Sequence, residues 1–506
     1  MTIRRMRRYT LTVISIIALA FATACGSPSV SSHSSASLDS ATVDILTPSS
    51  NNLIDPHTPI NSWSSLVSHT KISLQSRGFS HSHIYTHTSR SVLDQIKKIN
   101  SLTAQYKKSA SHRSTIVIAP LPTQKNSNVQ TITSHFGDYV TLNREQDTNE
   151  NSAITTEEKQ EEKNLEHQLA TSLQRAHDSG IHVIVLANKV SGFEPDYFVE
   201  FSSARTIARI QTDNLVKKLR LTAATRKKPK AIEILLPMNA GASFCRELFD
   251  TTWKILKPYY ATGVAYSPSG LLTTNSSTDD WRNVSVADDS AAGIQAALEV
   301  RLTSSSKSPQ SWHTIDGILA YNDYIALSTV TALDHMGFTG TSDTVNPDIT
   351  LESIVNSLSG HGTINKQEVP EPHQWAATHS TENTDTSSSS QSSSVDHQQS
   401  HNDTSRTKHQ WPIITGYGIC ISSVSRIVDG KIWVSAMEDR MQAASTITIL
   451  TEHESTSMST SRLKELIGSI NTTKKEVTNP LFAVNADNFK KTMLDTGYVN
   501  PADAGL

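Results

Sequence analysis

The chain is poor in cysteine and has no long apolar stretch beyond its first 25 residues. Its 506 residues include three cysteines, and aromatic residues make up 6%. Without a further apolar run of about 20 residues, no later segment is predicted to span a bilayer. Lys and Arg number 45 and Asp and Glu 48, which gives a formal net charge of -3. This balance lacks the concentrated basic face that nucleic-acid binding requires, so we expect no nucleic-acid partner.

Sequence motifs for catalysis and for metal binding are also missing. The chain contains no Gly-x-Ser-x-Gly elbow, no phosphate-binding glycine-rich loop and no regular metal-ligand spacing. Several late histidines are irregularly spaced and no cysteine accompanies them, so we favour a disordered polar segment over a metal site there. We expect a protein that is not an enzyme and that carries neither a cofactor nor a metal. These histidines are His373, His379, His397, His401 and His409.

The amino terminus has the organisation of an export signal. Four arginines between positions 4 and 8 precede an apolar run over residues 11–22, and small residues precede Cys25. This order is typical of a secretory signal peptide, which we place at residues 1–24. Cys25 in this position resembles the lipobox cysteine of bacterial lipoproteins, which implies lipid attachment and an extracytoplasmic protein anchored to the cell membrane. The alternative is an ordinary signal peptide in which Cys25 has no role.

Three polar segments contain too few apolar residues to offset the loss of chain entropy on folding. A Ser-rich spacer over residues 25–44 separates the anchor from the rest of the chain. Residues 143–163 carry seven acidic side chains and predict an exposed acidic loop that runs into a solvated helix. Residues 376–410 consist mainly of Ser, Thr, His, Asp, Asn and Gln, and predict a disordered insertion.

Between these segments, short apolar runs alternate with amphipathic helical patterns. Runs over residues 115–120, 182–187, 231–236 and 315–320 suit strands buried on both faces of a parallel sheet. Apolar residues at helical spacing precede the first two runs, and Gly180 ends the second helix. This alternation predicts an α/β fold, and the chain length predicts more than one lobe. The helical stripes are Val92, Leu93, Ile96, Ile99 and Leu102, then Leu165, Leu169, Leu173 and Ala176.

The segment 315–337 combines a strand, an Asn-Asp turn and a helix. It resembles the corresponding unit of the class I periplasmic sugar-binding proteins of ABC importers. Residues 180–211 resemble the strand, basic contact position and aromatic strand of that family, and residues 414–431 resemble its returning strand and following helix. Residues 484–499 resemble the C-terminal helix and tail of its xylose and multiple-sugar subgroup. The resemblance covers most of residues 45–506.

This resemblance implies a periplasmic binding protein-like I fold, in which two Rossmann-like lobes with parallel sheets are joined by a multi-strand hinge. Such lobes close over a ligand by hinge motion. Cys245 then falls in the second lobe and Cys420 in the first. A disulfide between them would oppose closure, so we expect two free thiols. The first lobe is expected at 45–187 and 415–476, the second at 190–411 and 477–506, and the crossings near 187–190, near 415–418 and within 477–484.

The chemistry of a sugar requires polar side chains for its hydroxyls and an aromatic platform for its apolar face. The resemblance implies such contacts at set positions, and this chain keeps only part of the usual residues. Trp63 matches the aromatic platform, whereas Ser62 stands where an arginine is expected and Gly418 stands at the usual hinge aspartate. Phe244 falls near the usual Asn-rich turn. The matched positions that we predict to contact ligand are Trp63, Asn188, Lys189, Ser202, Ser243 and Asn322.

Each matched residue also has a structural interpretation. Lys189 retains the charge of an expected arginine without its planar fork, and strand-end lysines are commonly solvated. Trp63 suits a core position at the start of a helix. The pair Asn322 and Asp323 suits a helix N-cap, and we expect Asn322 to reach the cleft while Asp323 does the capping.

The sequence therefore predicts a lipid-anchored solute-binding protein. It is expected to capture a small polar ligand, most simply a sugar, between two lobes and to deliver it to the permease subunits of an ABC importer, acting as a monomer. The alternative is a degenerate binding-protein fold that serves as a surface sensor or a protein-interaction lipoprotein. The replaced contact positions and the two polar insertions favour that alternative. A ligand-free structural envelope protein is a third interpretation.

Overall fold

The computed structural model describes residues 38–49, 55–107, 113–123, 127–142, 155–288, 290–303, 312–348, 350–351 and 409–502. Strands and helices alternate along these residues, as the apolar runs predict. The strands are β1 Thr42–Pro48, β2 Ile84–Ser89, β3 Ser114–Ile118, β4 His182–Leu186, β5 Tyr197–Glu200, β6 Lys230–Pro237, β7 Ala265–Tyr266, β8 Ser285–Val286, β9 Gly317–Ala320, β10 Phe338–Thr339, β11 His409–Gln410, β12 Ile413–Tyr417, β13 Val434–Glu438, β14 Ile470–Asn471, β15 Glu476–Thr478 and β16 Leu481–Val484.

The helices begin mainly at serine, threonine or asparagine caps, which satisfy amide groups that the first turn leaves free. Thr155 and Glu158 form a reciprocal capping box, which starts a helix inside the acidic segment. The helices are α1 Trp63–Ser76, α2 Val92–Tyr106, α3 Ser127–Phe136, α4 Thr156–His177, α5 Ala204–Lys218, α6 Ala242–Ala261, α7 Ala291–Leu302, α8 Asp323–His335, α9 Ile421–Val428, α10 Arg440–Ser455 and α11 Thr460–Leu466.

Two separate sheets organise the described chain. The first has the order β14-β15-β5-β4-β3-β1-β2 and the second β16-β13-β12-β9-β6-β7, with β8 paired to β6. All neighbouring strands in both sheets run parallel except the pairs β14–β15 and β13–β16. The predicted fold class, two α/β lobes built on mainly parallel sheets, is confirmed.

Helices cover both faces of each sheet, which explains why the central strands are apolar throughout. On the first sheet, α1 and α10 bury one face, and α2 and α4 bury the other. On the second sheet, α5 and α6 bury one face, and α7, α8 and α9 bury the other. The helical stripes predicted from the sequence point into these layers, although Leu93 is 47% exposed.

The chain passes between the lobes three times within the described residues, but two of the predicted crossing points are wrong. The strand β5 still pairs with β4, so the first crossing lies at residues 201–203 rather than at 187–190. Both β12 and β13 belong to the second sheet, so the second crossing lies at Asp439 rather than at 415–418. The third crossing, at residues 479–480 between β15 and β16, lies inside the predicted segment.

These positions change the lobe boundaries. The first lobe extends through β5, and it regains the chain at α10 rather than at residue 415. It also begins before residue 45, because β1 starts at Thr42 and Ala41 is buried. Cys245 and Cys420 both belong to the second lobe, which corrects the placement of Cys420. Both are buried and form no disulfide, as expected, but not because a disulfide would link two lobes.

Several expectations lie outside the described residues. These are the signal peptide at 1–24, Cys25, the acidic residues 143–154 and almost all of the Ser/His-rich segment 376–410, of which β11 alone is described. Among the described helices, none combines the length and the apolar character needed to cross a membrane.

Candidate functional site

The carboxyl ends of the two sheets meet at the crossings. The strands β5 and β15 end side by side in the first lobe, where the Asn479 amide donates to the Glu200 carbonyl over 2.8 Å. The strand β13 ends at Glu438 in the second lobe, directly before the crossing at Asp439. Ligands of parallel sheets bind beyond these ends. We therefore call the region between the two carboxyl edges the cleft.

Aromatic side chains from both lobes fill part of the cleft. Phe136, the last residue of α3, meets Phe244 of α6 edge to face with ring centroids 5.1 Å apart. Its ring also lies 6.0 Å from that of Tyr417 at the end of β12. The neighbouring His135 stacks on Tyr324 of α8 at 4.5 Å and nearly parallel. Phe136 is 1% exposed, so the first lobe is packed against the second.

Backbone contacts complete this closed arrangement. The Ile60 amide donates to the Ile419 carbonyl over 2.9 Å, which joins the loop before α1 to the second lobe. Pro59 lies between the lobes, and a Cβ on Gly418 would stand 3.1 Å from its ring carbon. Gly418 has φ +103, a conformation that side chains strongly disfavour. An aspartate at the usual hinge position is therefore incompatible with this closed packing.

A buried carboxylate links the first two crossings. Glu438 accepts hydrogen bonds from the Ser202 and Tyr417 hydroxyls, and its other oxygen lies 3.4 Å from the donating Asn61 amide nitrogen. Asn61 also donates to the Glu438 carbonyl over 2.9 Å. Burial raises the pKa of Glu438, and these hydrogen bonds oppose the rise only in part. The hydrogen bond between the Ser202 and Glu438 side chains therefore links the first two crossing segments.

Several buried polar atoms at the cleft make no hydrogen bond to the described residues. The amide nitrogen Nδ2 of Asn322 is one, although Asn322 has no exposed surface. His135 Nδ1 and Asp288 Oδ2 make no hydrogen bond either, but they face each other at 3.4 Å as a histidine–carboxylate pair. Thr141 Oγ1 and Asn479 Oδ1 also belong to this group. A buried polar atom without a partner costs about 1–3 kcal/mol, so these positions favour a polar occupant.

The structure places three of the predicted contact residues in the first lobe. Trp63 is buried against Tyr139, with ring centroids 5.1 Å apart, at the first residue of α1. Asn188 follows β4, and its Oδ1 accepts from the Leu142 amide over 2.9 Å. Lys189 extends toward solvent, pairs with Glu476 and lies over the Phe198 ring, away from the other two.

The remaining predicted residues lie at the crossing and in the second lobe. Ser202 is buried in the crossing segment beside Glu438, and Ser243 is half-buried in the first turn of α6, next to Phe244. All follow carboxyl ends of strands, as expected for a cleft. Contact between these residues and a ligand stays a prediction.

The expected division of roles at the start of α8 is wrong. Asn322, not Asp323, is the N-cap, because its Oδ1 accepts from the Ile325 amide over 2.9 Å. Asp323 instead points into the second lobe, where the Ser435 hydroxyl donates to it over 2.6 Å. Burial raises the pKa of Asp323. Gly416 permits this contact, since a Cβ there would lie 2.2 Å from the Asp323 oxygen.

Sequence reasoning missed Phe136, Asp288 and Glu438. Asp288 follows the short strand β8, and Glu438 ends β13, so the rule that strand ends carry ligand contacts would have indicated both. Phe136 ends a mostly polar helix, and no local pattern indicates that its ring enters the other lobe.

No family model and no curated protein sequence matches this chain. Solved structures do match. An ABC transporter solute-binding protein from Clostridium phytofermentans with bound β-D-glucose is 16% identical, with 92% of this chain and 99% of that chain covered and a TM-score of 0.44. A sugar ABC transporter from Actinomyces odontolyticus is 12% identical, with coverages of 90% and 98% and a TM-score of 0.47. A periplasmic ribose ABC transporter from Conexibacter woesei is 10% identical, with coverages of 90% and 96% and a TM-score of 0.46.

Proposed function

We propose that this chain is an extracytoplasmic solute receptor that binds a small polar ligand, most simply a sugar, in the cleft. Lipid attachment at Cys25 would hold it at the membrane, and the sequence resemblance supports delivery of the ligand to an ABC importer. The resemblance at residues 484–499 supports a place in the xylose and multiple-sugar subgroup. The role requires no catalytic residue, cofactor or nucleic acid.

The observation that carries the proposal is the group of unpartnered polar atoms at the cleft. Asn322 supplies an unpartnered amide donor, while the Asp288 carboxylate and the His135 ring nitrogen face each other at 3.4 Å without a hydrogen bond. A ring hydroxyl both donates and accepts, so a sugar can satisfy all three kinds of group. A purely structural interface gains nothing from leaving such atoms buried and unpaired.

Binding requires the cleft to open, because Phe136 and His135 occupy it in the closed form. The three crossings allow a hinge rotation that separates α3 from α6 and α8 without unfolding either lobe. A sugar then enters with its apolar face toward the aromatic rings and its hydroxyls toward Asn322 and Asp288. A ligand therefore cannot bind while Phe136 and His135 occupy the cleft in the closed form.

Isothermal titration tests this proposal directly. The chain from residue 26 onward is titrated with a panel of pentoses, hexoses and oligosaccharides, beginning with the glucose and ribose named for the similar structures. We expect saturable binding of at least one sugar, and an at least tenfold loss in Asp288→Asn. The matched control is Asp316→Asn, which removes an aspartate at the amino end of β9, far along the strand from the cleft. Silence across the panel would contradict sugar binding.

The filled cleft favours a second candidate function, in which the fold no longer transports a solute. Phe136 and Phe244 occupy space that a ligand needs, and serine stands at Ser62 and Ser202 where charged or amide residues are usual. Such a protein would act as a surface sensor or a protein-interaction lipoprotein, with its polar insertions as the working parts.

Deletion of residues 376–408, which spares β11, separates the two functions. A receptor keeps the sugar affinity of the intact chain after the deletion. An interaction protein binds no sugar and loses a partner that the intact chain captures from the envelope fraction. Unchanged capture together with sugar binding would contradict the second function.

A further inference from the structure

The first lobe contains a cluster of histidine and carboxylate side chains at the edge opposite the cleft. His182 is the first residue of β4, Asp196 directly precedes β5, and Glu454 lies near the end of α10. Their ligand atoms all lie within 4.8 Å of one another. The cleft lies at the carboxyl ends of the strands, so these three residues are not part of the candidate ligand site.

The geometry points to a divalent transition-metal site, of the zinc class, formed by His182, Asp196 and Glu454. His182 Nδ1 lies 2.7 Å from Glu454 Oε2 and 3.7 Å from Asp196 Oδ2. Ligand atoms about 2.0–2.2 Å from a tetrahedral ion stand about 3.4 Å apart. The two distances bracket this value, and the Glu454 carboxylate would have to move away from His182 to admit the ion.

The chemistry of the donor set selects the ion. Calcium and magnesium prefer oxygen ligands alone, whereas one imidazole with two carboxylates suits zinc and its neighbours in the first transition row. With His182 neutral, the two carboxylates leave a charge that a divalent ion balances.

Further side chains hold the carboxylates in place. His177 Nε2 lies 3.3 Å from Asp196 Oδ1, and the Val183 amide donates to Asp196 Oδ2 over 2.7 Å. His453 Nδ1 lies 3.1 Å from Glu454 Oε1. Partners of this kind orient metal ligands in established sites. The His182 side chain is 35% exposed, which leaves a fourth position for water.

Three separate parts of the first lobe would be joined by the ion. The strands β4 and β5 are adjacent, but α10 returns to this lobe only after the second crossing. A bound ion would therefore attach the returning helix to the sheet and stabilise the folded lobe by mass action. The sequence led us to expect no metal. The three ligands are up to 272 positions apart, so no spacing motif in the sequence indicates them.

Zinc binding is measured on the chain from residue 26 onward, with His373, His379, His397 and His401 changed to glutamine so that the polar insertion does not contribute. We expect one zinc per chain by elemental analysis after dialysis, and a rise in melting temperature with added zinc. Glu454→Gln should lower the zinc affinity at least tenfold. The matched control is His87→Gln, which removes another histidine paired with a carboxylate, Asp44, and should leave zinc affinity unchanged.

Unchanged affinity in Glu454→Gln, or no bound zinc in the background chain, would overturn the proposal. Circular dichroism establishes that each variant is folded. If Glu454→Gln does not fold, the half-exposed His177 provides a second variant, and His177→Ala should weaken zinc binding severalfold. X-ray absorption of zinc bound to the chain with His182, Asp196 and Glu454 intact needs no substitution of a ligand. Imidazole and oxygen scatterers around the zinc support the site, whereas sulfur or oxygen alone contradicts it.

Discussion

Phe136 of the first lobe packs edge to face on Phe244 of the second, with ring centroids 5.1 Å apart. The contact lies between the carboxyl edges of two parallel sheets, where a ligand is expected to bind. This one contact therefore stabilises the closed form and also blocks access to the cleft. Substitutions at and around it can show how much each effect contributes.

Phe136→Ala should open the cleft. Removing a buried phenylalanine costs about 3–5 kcal/mol when the site cannot relax, but here the lobes can separate instead. We expect a larger radius of gyration by small-angle scattering and stronger sugar binding than in the unchanged chain. Phe249→Ala is the control. Phe249 lies on the same helix, α6, but in the core of the second lobe, so its loss should lower the free energy of unfolding without separating the lobes. Equal scattering from both variants would contradict the role of Phe136.

Gly418→Ala should disfavour closure more than its backbone conformation alone explains. A side chain at positive φ costs about 1–2 kcal/mol, and the new Cβ also meets Pro59 at 3.1 Å. Gly340→Ala carries the same backbone cost at φ +93, but nothing lies within 4 Å of its Cβ. We expect Gly418→Ala to expand the protein in scattering measurements and Gly340→Ala to lower stability only. An unexpanded Gly418→Ala protein would show that the Pro59 contact does not limit closure.

The free energy of unfolding of Glu438→Gln, compared with that of the unchanged chain, should increase as the pH rises. Burial raises the pKa of Glu438, so the folded chain holds a proton that the unfolded chain releases above about pH 4. This lowers the stability of the unchanged protein as pH rises from the unfolded pKa to the folded pKa, and the loss is complete above the latter. Glutamine does not titrate and keeps an acceptor for Ser202 and Tyr417.

The measurement for Glu438→Gln is urea unfolding of both proteins between about pH 4 and about pH 7. Glu200→Gln is the control, since Glu200 ends β5 beside the same crossing but makes an exposed hydrogen bond with Thr478. A constant difference between Glu438→Gln and the unchanged chain over this range would show that folding does not raise the pKa of Glu438.

Asn322→Ser should separate helix capping from ligand binding. Serine keeps an oxygen that accepts from the Ile325 amide, whereas it removes the unpartnered Nδ2 donor. We expect unfolding free energy within about 0.5 kcal/mol of the unchanged chain, and an at least tenfold loss of sugar affinity. Asn322→Ala should lose the same affinity and also about 1 kcal/mol of stability. Full sugar affinity in Asn322→Ser would exclude the amide from the ligand site.

The strands that form the centre of each sheet could be predicted from sequence because they are apolar on both faces. The runs at 115–120, 182–187, 231–236 and 315–320 coincide with β3, β4, β6 and β9. Each of these strands can be recognised from its own short stretch of sequence. The short strand β5 has only four residues, and its pairing with β4 is what moves the first crossing to residues 201–203.

The interior of the cleft was less accessible to sequence reasoning, because it depends on contacts between distant residues. The helix α3 is largely polar, and Phe136 becomes buried only through the second lobe. Lys189 pairs with Glu476, 287 positions later, which no spacing rule predicts. Asp323 does not cap α8 as expected, because the missing side chain at Gly416 leaves room for it to turn into the second lobe.

The hydrogen bonds from Ser202 and Tyr417 to Glu438 also determine which motions of the lobes are easy. Ser202 belongs to the first crossing and Glu438 directly precedes the second, so the two segments are coupled at one buried point. Twisting one lobe against the other would break these bonds and leave the buried Glu438 side chain without partners, which costs free energy. Bending both segments together leaves the bonds intact. We therefore expect the lobes to separate by bending rather than by torsion.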